Sequence, residues 1–213
     1  TLIVSGLAAF VTVTLALLMV YGIRLSGKKL PVLILPLTTI GYAAPGAVLG
    51  IGILIPIAFL DNWLADRVFD LTGYDPGLIF TGTAFAIILA YCVRFFSIAQ
   101  QTLDGALGRV SPSLPNAARS LGRNKLQVLW EIYRPLISTS TATALLLVFV
   151  DCVKELPATM LLRPFNFETL ATRVHVQASL EDLPNAAPGA ILIVLIGLCA
   201  VFFLARVTKQ ISN

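Results

Sequence analysis

Charged side chains are scarce in this sequence. Lys and Arg together number 15, and Asp and Glu 11, so that 12% of the 213 residues are charged, against about 25% in a typical soluble domain. Hydrophobic residues make up 57% of the chain, more than the roughly 45–50% that is usual in soluble proteins. This composition excludes an ordinary soluble domain and predicts an integral membrane protein.

The groups that most often perform catalysis or hold metals are also few. The chain has one histidine, and its three cysteines, Cys92, Cys152 and Cys199, lie in or beside apolar runs without metal-site spacing. We predict that they serve as small buried hydrophobic residues. No Gly-x-x-x-x-Gly-Lys-Ser/Thr phosphate loop occurs, and no nucleophile and base stand at a recognisable spacing. The sequence therefore predicts neither an enzyme nor a chain that itself binds a metal or cofactor.

What the sequence has instead is long uncharged runs. A helix needs about 20 apolar residues, with a range of about 17–25, to cross a bilayer core. The third run, residues 76–93, is of marginal length, and the fourth, residues 135–150, must borrow residues from its flanks. The second run is too long for one straight span, and its prolines favour a lead-in segment followed by a kinked helix. We predict five spanning helices from the runs 1–23, 30–60, 76–93, 135–150 and 183–205.

Positive charge is unevenly divided between the two sides that five spans define. If the segment after the first span is cytoplasmic, eleven of the 15 Lys and Arg residues lie on that side, and most acidic residues lie on the other. The positive-inside rule favours this orientation. It places the polar segment between the third and fourth spans, and the C-terminus, in the cytoplasm. The eleven are Arg24, Lys28, Lys29, Arg94, Arg109, Arg119, Arg123, Lys125, Arg134, Arg206 and Lys209.

The polar segment between the third and fourth spans predicts a helix-turn-helix outside the bilayer. Pro115 suits the first turn of a helix, and Gly122 allows a sharp change of direction. Ala117 and Ala118 offer a narrow face that a partner can approach closely, and Pro135 is predicted to start the next span. The second helix is predicted to pack on the bundle through Leu126, Leu129, Trp130 and Tyr133, which repeat at helical spacing.

The spacing in this segment resembles the EAA loop of ABC importer permeases. The string Asn116, Ala117, Ala118, Arg119, Ser120, Leu121, Gly122 is followed after nine residues by Ile132-Tyr133-Arg134-Pro135. The family pattern is Glu-Ala-Ala, three residues, Gly, nine residues, Ile-x-Leu-Pro. Asn116 stands in place of its Glu and Arg134 in place of its Leu.

The resemblance implies an all-α polytopic membrane helix bundle of the type I ABC importer permease fold, with about five spanning helices. Residues 1–213 would form a single transmembrane permease domain, the C-terminal half of a longer permease, because the chain begins at Thr1 rather than Met. Residues 104–134 would form the cytoplasmic coupling loop, which sits in a cleft of the ATPase subunit.

The same resemblance implies the partners with which this chain would assemble. We expect two ABC ATPase subunits, a second permease half, a periplasmic substrate-binding protein and the lipid bilayer of a bacterial inner membrane as partners, and no nucleic acid. ATP and Mg would be used by the ATPase subunit, and no cofactor would be bound by this chain.

A second segment narrows the substrate class. The strings Lys154-Glu155-Leu156-Pro157-Ala158-Thr159 and Arg163-Pro164-Phe165-Asn166-Phe167 resemble the permeases of bacterial ferric-iron importers. Importers of molybdate, sulfate and thiamine carry related strings, so these substrates remain alternatives to ferric iron.

The charges of this segment predict a gate. Asp151, Lys154 and Glu155 are spaced to share one helix face and partly neutralise each other, and we expect Pro157 to break the helix. Charges at membrane depth are costly unless paired or facing water, which makes these residues candidates for the translocation pathway or its outer gate. The alternative is an ion cluster that has reached the outer interface.

Two further features bear on the pathway and on the class of protein. The pattern Gly46-x-x-x-Gly50 predicts close helix packing, with pore lining as the alternative. An ion-coupled secondary transporter would show inverted repeats and coupling-ion residues at mid-membrane, and the sequence has no clear repeat. A membrane-embedded enzyme would need titratable groups inside the spans, which are nearly free of them.

Overall fold

The computed structural model describes residues 1–26 and 35–212, and all regular elements in these residues are helices. A 3-10 turn, Leu35–Thr39, follows the first helix. The helices are α1 (Leu2–Ser26), α2 (Ile40–Ala43), α3 (Gly46–Thr72), α4 (Ala84–Gly108), α5 (Ser113–Ser120), α6 (Lys125–Val153), α7 (Pro157–Leu162), α8 (Leu170–Ser179) and α9 (Leu183–Ser212).

Five of these helices, α1, α3, α4, α6 and α9, are long and apolar enough to cross a membrane. They confirm the five spans predicted from the apolar runs, and α6 does borrow its extra length from the polar segment before it. The all-helical architecture of the described residues is that of a polytopic membrane helix bundle.

The core of the bundle is formed by α1, α4 and α6, which pack against one another. Their shared surface is rich in fully buried alanines, including Ala8, Ala16, Ala90, Ala99 and Ala144. Small residues let helix backbones approach closely, which is the main source of packing energy between helices in lipid. Helix α3 packs on α4 and α7, and α9 packs on α8 and α6.

The second apolar run is divided into two parts, of which only the later one, α3, is a spanning helix. Residues 35–43 pack along α4 as a 3-10 turn and the short helix α2, and α3 begins one residue after Pro45. Gly41 lies directly against the backbone of Val93, so closely that a Cβ atom would collide with its carbonyl. The predicted lead-in segment is confirmed for residues 35–45, and residues 30–34 lie outside the described part of the chain.

Helix α3 extends well past the end of the apolar run, because Asp61 lies inside it as a fully buried residue. The Asp61 carboxylate accepts backbone N–H bonds from Ile79 (3.0 Å), Phe80 (2.9 Å) and Thr81 (2.5 Å). These bonds satisfy a buried charge with donors of the loop. They hold the loop between α3 and α4 in place and thereby help to fix the position of α4 in the core.

Candidate functional site

Helix α5 and the turn after it form a rigid hairpin at one end of the bundle. Gly122 has φ +84°, and its N–H donates to the Arg119 carbonyl at 2.9 Å, while the Arg123 N–H donates to the Ala118 carbonyl at 3.0 Å. These two bonds make a Schellman motif, which ends a helix at a left-handed glycine. The predicted change of direction at Gly122 is confirmed.

The helix after the turn begins with a capping box. The Asn124 side chain accepts the Gln127 N–H and the Gln127 side chain accepts the Asn124 N–H, both at 2.9 Å. Such reciprocal bonds satisfy two N–H groups that a helix start would leave unpaired. The segment 104–134 is therefore divided between the last turn of α4, the α5 hairpin and the first turns of α6.

The hairpin is fixed to the bundle by two tyrosines. The Tyr21 hydroxyl of α1 donates to the Lys125 carbonyl at 2.5 Å, and the Tyr21 ring meets the Tyr133 ring edge-on at 5.4 Å between centroids. Tyr133 and Val128 are buried in a cluster against which Ala118 packs. The first turns of α6 and the inner side of α5 thus move with α1.

This packing corrects the predicted division of faces. Leu126 and Trp130 are 66% and 59% exposed, so they do not pack on the bundle. Tyr133 is buried as expected, and Val128 takes the place of the two exposed residues because the helical turn puts it beside α1. Ala118 faces the bundle rather than a partner, which leaves Ala117 on the open side.

The open side of α5 and its turn carries the rest of the predicted coupling residues. Leu121 is 84% exposed and Leu114 is 47% exposed. Asn116, Ala117, Arg119, Ser120 and Gly122 are exposed beside them. The surface is therefore a small apolar patch with hydrogen-bonding and positive groups around it.

The regular α-helical part of α6 begins at Arg134 with Pro135 in its first turn, as predicted, but the helix as a whole already begins at Lys125. Residues Leu129–Tyr133 form a π-helical turn, and the Arg134 N–H donates to the Leu129 carbonyl five residues back. In a regular α-helix the Pro135 ring would clash with the carbonyl four residues earlier. We attribute the accommodation of Pro135 to the wider π turn, which lets the helix continue.

Several of the predicted pathway and gate residues lie together at the break between α2 and α3. The Arg94 Nε lies 3.0 Å from the Glu155 Oε2, and the Arg94 Nη1 donates to the Ala44 carbonyl at 2.9 Å. The Glu155 Oε1 accepts the Ala158 N–H at 3.2 Å. The side chains of Arg94 and Glu155 are only 18% and 7% exposed.

This arrangement corrects three predictions. Helix α6 ends at Val153, so Glu155 lies beyond it and does not share a helix face with Asp151 and Lys154. Pro157 occupies the first position of α7 rather than breaking α6, because a proline needs no N–H partner there. Arg94 lies inside α4 instead of at the cytoplasmic end of a span. When Arg94 is left out, ten of the eleven Lys and Arg residues assigned to the cytoplasmic side by the sequence analysis keep that predicted assignment.

Asp151 and Lys154 form the predicted ion pair, with 2.7 Å between Lys154 Nζ and Asp151 Oδ1. The hydrogen bond that Lys154 donates to the Asp151 carboxylate raises the pKa of Lys154 above its ordinary value. Lys154 is largely exposed at the end of α6, so this pair lies at the surface of the bundle while Glu155 points inward.

The two predicted glycines lie where α3 crosses α7, which confirms the packing interpretation. A Cβ on Gly46 would lie 2.8 Å from Glu155 Oε1, 3.1 Å from Pro157 Cβ and 3.2 Å from Arg94 Nη1. A Cβ on Gly50 would lie 3.1 Å from the Leu161 side chain. Gly46, Glu155 and Pro157 therefore belong to one site, and Arg94 is the member that sequence reasoning missed.

A signal for Arg94 was present in the sequence. The uncharged apolar run of the third span ends just before this arginine, yet the apolar residues Phe95, Phe96 and Ile98 follow it. Extending the helix through the charge would have put Arg94 inside a span, where a cation requires a partner.

These features define the class of the molecule: a multi-pass α-helical membrane protein with a polar hairpin at one end of its spans and an ion pair among them. The family model for binding-protein-dependent transport system inner membrane components matches residues 9–213. The chain belongs to this family of inner-membrane transport components.

Characterised relatives are similar over most of the chain. It is 30% identical over 204 residues to the Fe(3+)-transport system permease protein FbpB 2 of Haemophilus influenzae, covering 96% of this chain and 37% of that protein. It is 27% identical over 209 residues to the ferric transport system permease protein FbpB of Actinobacillus pleuropneumoniae, covering 95% and 27%.

Another relative is named for a different substrate. The putative 2-aminoethylphosphonate transport system permease protein PhnV of Salmonella typhimurium is 29% identical over 147 residues, covering 67% of this chain and 54% of that protein. The chain spans 37% and 27% of the length of the two ferric relatives named above.

Proposed function

We propose that this chain forms one half of the permease of an ATP-driven ABC importer. The observation that carries the proposal is the hairpin built on α5, which is fixed to α1 and α6 and open on its outer side. Helix α6 runs from this hairpin to the charged residues at its far end. A partner that moves α5 would therefore move the segment that contains Glu155.

The partner of the hairpin would be an ATPase subunit. Leu114, Ala117 and Leu121 supply an apolar contact, while Asn116 and Arg119 supply polar contacts around it. Such a contact transmits force only if its base is rigid, and the Schellman turn, the capping box and Tyr21 supply that rigidity. Two such ATPase subunits, using ATP and Mg, would close on the two halves of the permease.

The site around Glu155 would form part of the translocation pathway or its gate. Gly46, Gly50 and Pro157 bring α3 and α7 together there, and Asp151 and Lys154 lie at the adjacent end of α6. One such half cannot enclose a pathway, so a second permease half must supply the other wall. The sparsely buried α9 would face lipid or that second half.

The distribution of charge supports an orientation with the hairpin and the C-terminus in the cytoplasm. A periplasmic substrate-binding protein would then deliver the solute to the opposite side, near α8. Ferric iron is the proposed substrate, because the Lys154–Thr159 and Arg163–Phe167 strings resemble ferric permeases and two relatives are named for ferric transport. Thiamine, molybdate, sulfate and 2-aminoethylphosphonate are the alternatives.

The test is reconstitution of the full-length permease with its ATPase and binding protein in liposomes. We expect uptake of labelled ferric iron that requires ATP, with ATP hydrolysis stimulated by the loaded binding protein. Uptake of the four alternative solutes, measured in parallel, shows which solute the importer transports best. Uptake by the permease without ATP or ATPase would overturn the proposal in favour of an ion-coupled transporter.

A further inference from the structure

Three separate elements of the bundle meet at Arg94. The guanidinium projects from α4, bonds the Ala44 carbonyl at the break in the second span, and faces Glu155 in the connection between α6 and α7. Glu155 in turn accepts the Ala158 N–H at the start of α7 and lies against Gly46 at the start of α3. One ion pair therefore ties α3, α4 and α7 together.

The pair lies deep in the bundle. Arg94 is ten residues from the first residue of α4 and fourteen from the last, or about 15 Å and 21 Å along the helix. Charged groups at such depth are costly and are retained mainly where they serve a function. Helix packing alone would be achieved more cheaply by apolar side chains of similar volume.

The pair is also incompletely satisfied. The Arg94 Nε is buried and makes no well-aligned hydrogen bond, although it lies 3.0 Å from the Glu155 carboxylate. A buried ion pair contributes net stability only when its geometry and remaining hydrogen bonds are good. Separation of this pair therefore requires that each partner then reaches water or another polar group.

A movement of the hairpin would withdraw Glu155 from Arg94. It follows the last residue of α6 by two positions, and α6 starts at the hairpin. A shift of α6 relative to α4 would pull the carboxylate from Arg94. The contact between Glu155 and Gly46 would then be lost, and Arg94, which still bonds the Ala44 carbonyl, would no longer be tied to Glu155.

We propose that Arg94 is a positioning residue for transport: it holds the broken second span closed against Glu155, and this pair separates in every transport cycle. The inference builds on the proposed function, since it needs an α6 that is moved by an ATPase.

The first experiment uses the complete reconstituted importer with Arg94→Met, Glu155→Gln and the exchange Arg94→Glu with Glu155→Arg. We expect each single variant to keep ATP hydrolysis while the amount of substrate moved per ATP falls roughly tenfold or more. The exchange should restore a substantial part of that ratio. Arg67→Met, which removes a cation from the exposed side of α3, serves as the control and should leave the ratio unchanged.

The second experiment leaves the ion pair intact, so it does not depend on the folding of charge variants. Ala44→Cys is introduced with Cys199→Ser, because Cys92 and Cys152 are buried as predicted, whereas Cys199 is exposed, contrary to the prediction. Labelling by a membrane-impermeant maleimide is measured without nucleotide and with ATP and orthovanadate, against the Cys199→Ser protein alone. We expect the labelling rate of Cys at position 44 to differ between the two states.

Two results would overturn the inference. One is an unchanged ratio of substrate to ATP in the charge variants, including the neutral pair Arg94→Met with Glu155→Met. The other is identical labelling at position 44 in both nucleotide states. Each leaves the proposed function standing if the wild-type importer transports with ATP, whereas a wild-type protein that takes up substrate without ATP refutes the proposed function itself.

Discussion

The hydroxyl of Tyr21 donates a hydrogen bond to the carbonyl of Lys125 across 2.5 Å, and this bond joins the end of the first span to the start of the fourth. The two residues are 104 positions apart in sequence. Their contact makes the hairpin part of the bundle rather than a flexible loop. Force applied to α5 is therefore delivered to α1 and α6 together.

Tyr21→Phe should weaken this connection without removing the ring contact with Tyr133. We expect a loss of about 1 kcal/mol of stability, which is typical of one intramolecular hydrogen bond, seen as a lower thermal midpoint of the purified permease. Tyr74→Phe, at an exposed tyrosine outside the core, should leave the midpoint unchanged. Equal midpoints for Tyr21→Phe and wild type would show that the bond is not formed.

Gly122→Ala should strain the hairpin turn. The position has φ +84°, where an L-residue costs about 1 kcal/mol or more. We expect faster proteolysis of the hairpin and reduced transport per ATP. Gly105→Ala is the matched control, because Gly105 lies inside α4 with open space around its Cβ position, and it should be neutral or slightly stabilising. Equal proteolysis of the two variants would contradict the assigned turn.

Gly46→Ala should separate Arg94 from Glu155. The added methyl group would lie 2.8 Å from the Glu155 carboxylate oxygen, so the carboxylate must move. We expect lower substrate uptake per ATP, in the direction of Glu155→Gln. Gly52→Ala lies on the same helix with nothing within 4 Å of its Cβ position and should behave as wild type. A normal ratio in Gly46→Ala would argue that the pair does not matter.

Asp61→Asn should destabilise the junction between α3 and α4. An amide offers one acceptor oxygen and turns its NH2 group toward a backbone N–H, whereas the carboxylate accepts from Ile79, Phe80 and Thr81. We expect a loss of about 2 kcal/mol, since bonds to a charged group are stronger than neutral ones. The thermal midpoint of Asp70→Asn, an exposed position of α3, provides the comparison; equal midpoints would contradict the role of Asp61.

Much of the fold could be predicted from the sequence, because hydropathy depends on composition over about 20 residues and not on detailed packing. The five spans, the borrowed length of α6 and the close packing at Gly46 and Gly50 were all accessible in this way. The turn at Gly122 was predictable because a left-handed helix end favours glycine.

The rest depended on contacts that local patterns do not contain. Helical spacing suggested that Glu155 shares a face with Asp151, but the helix ends before Glu155, and its partner Arg94 is distant in sequence. Arg94 itself was counted as a charge that ends a span. The exposed Leu126 and Trp130 were assigned to the wrong side because periodicity defines a face without saying what covers it.

In the proposed importer, the open face of α5 receives the force of an ATPase. The most direct measurement is substrate transported per ATP hydrolysed by the complete importer carrying Ala117→Trp, compared with Ala205→Trp at an exposed position of α9. We predict that Ala117→Trp abolishes ATP-driven uptake while the permease remains folded, and that Ala205→Trp transports as wild type. Wild-type uptake per ATP in a folded Ala117→Trp importer would contradict the account.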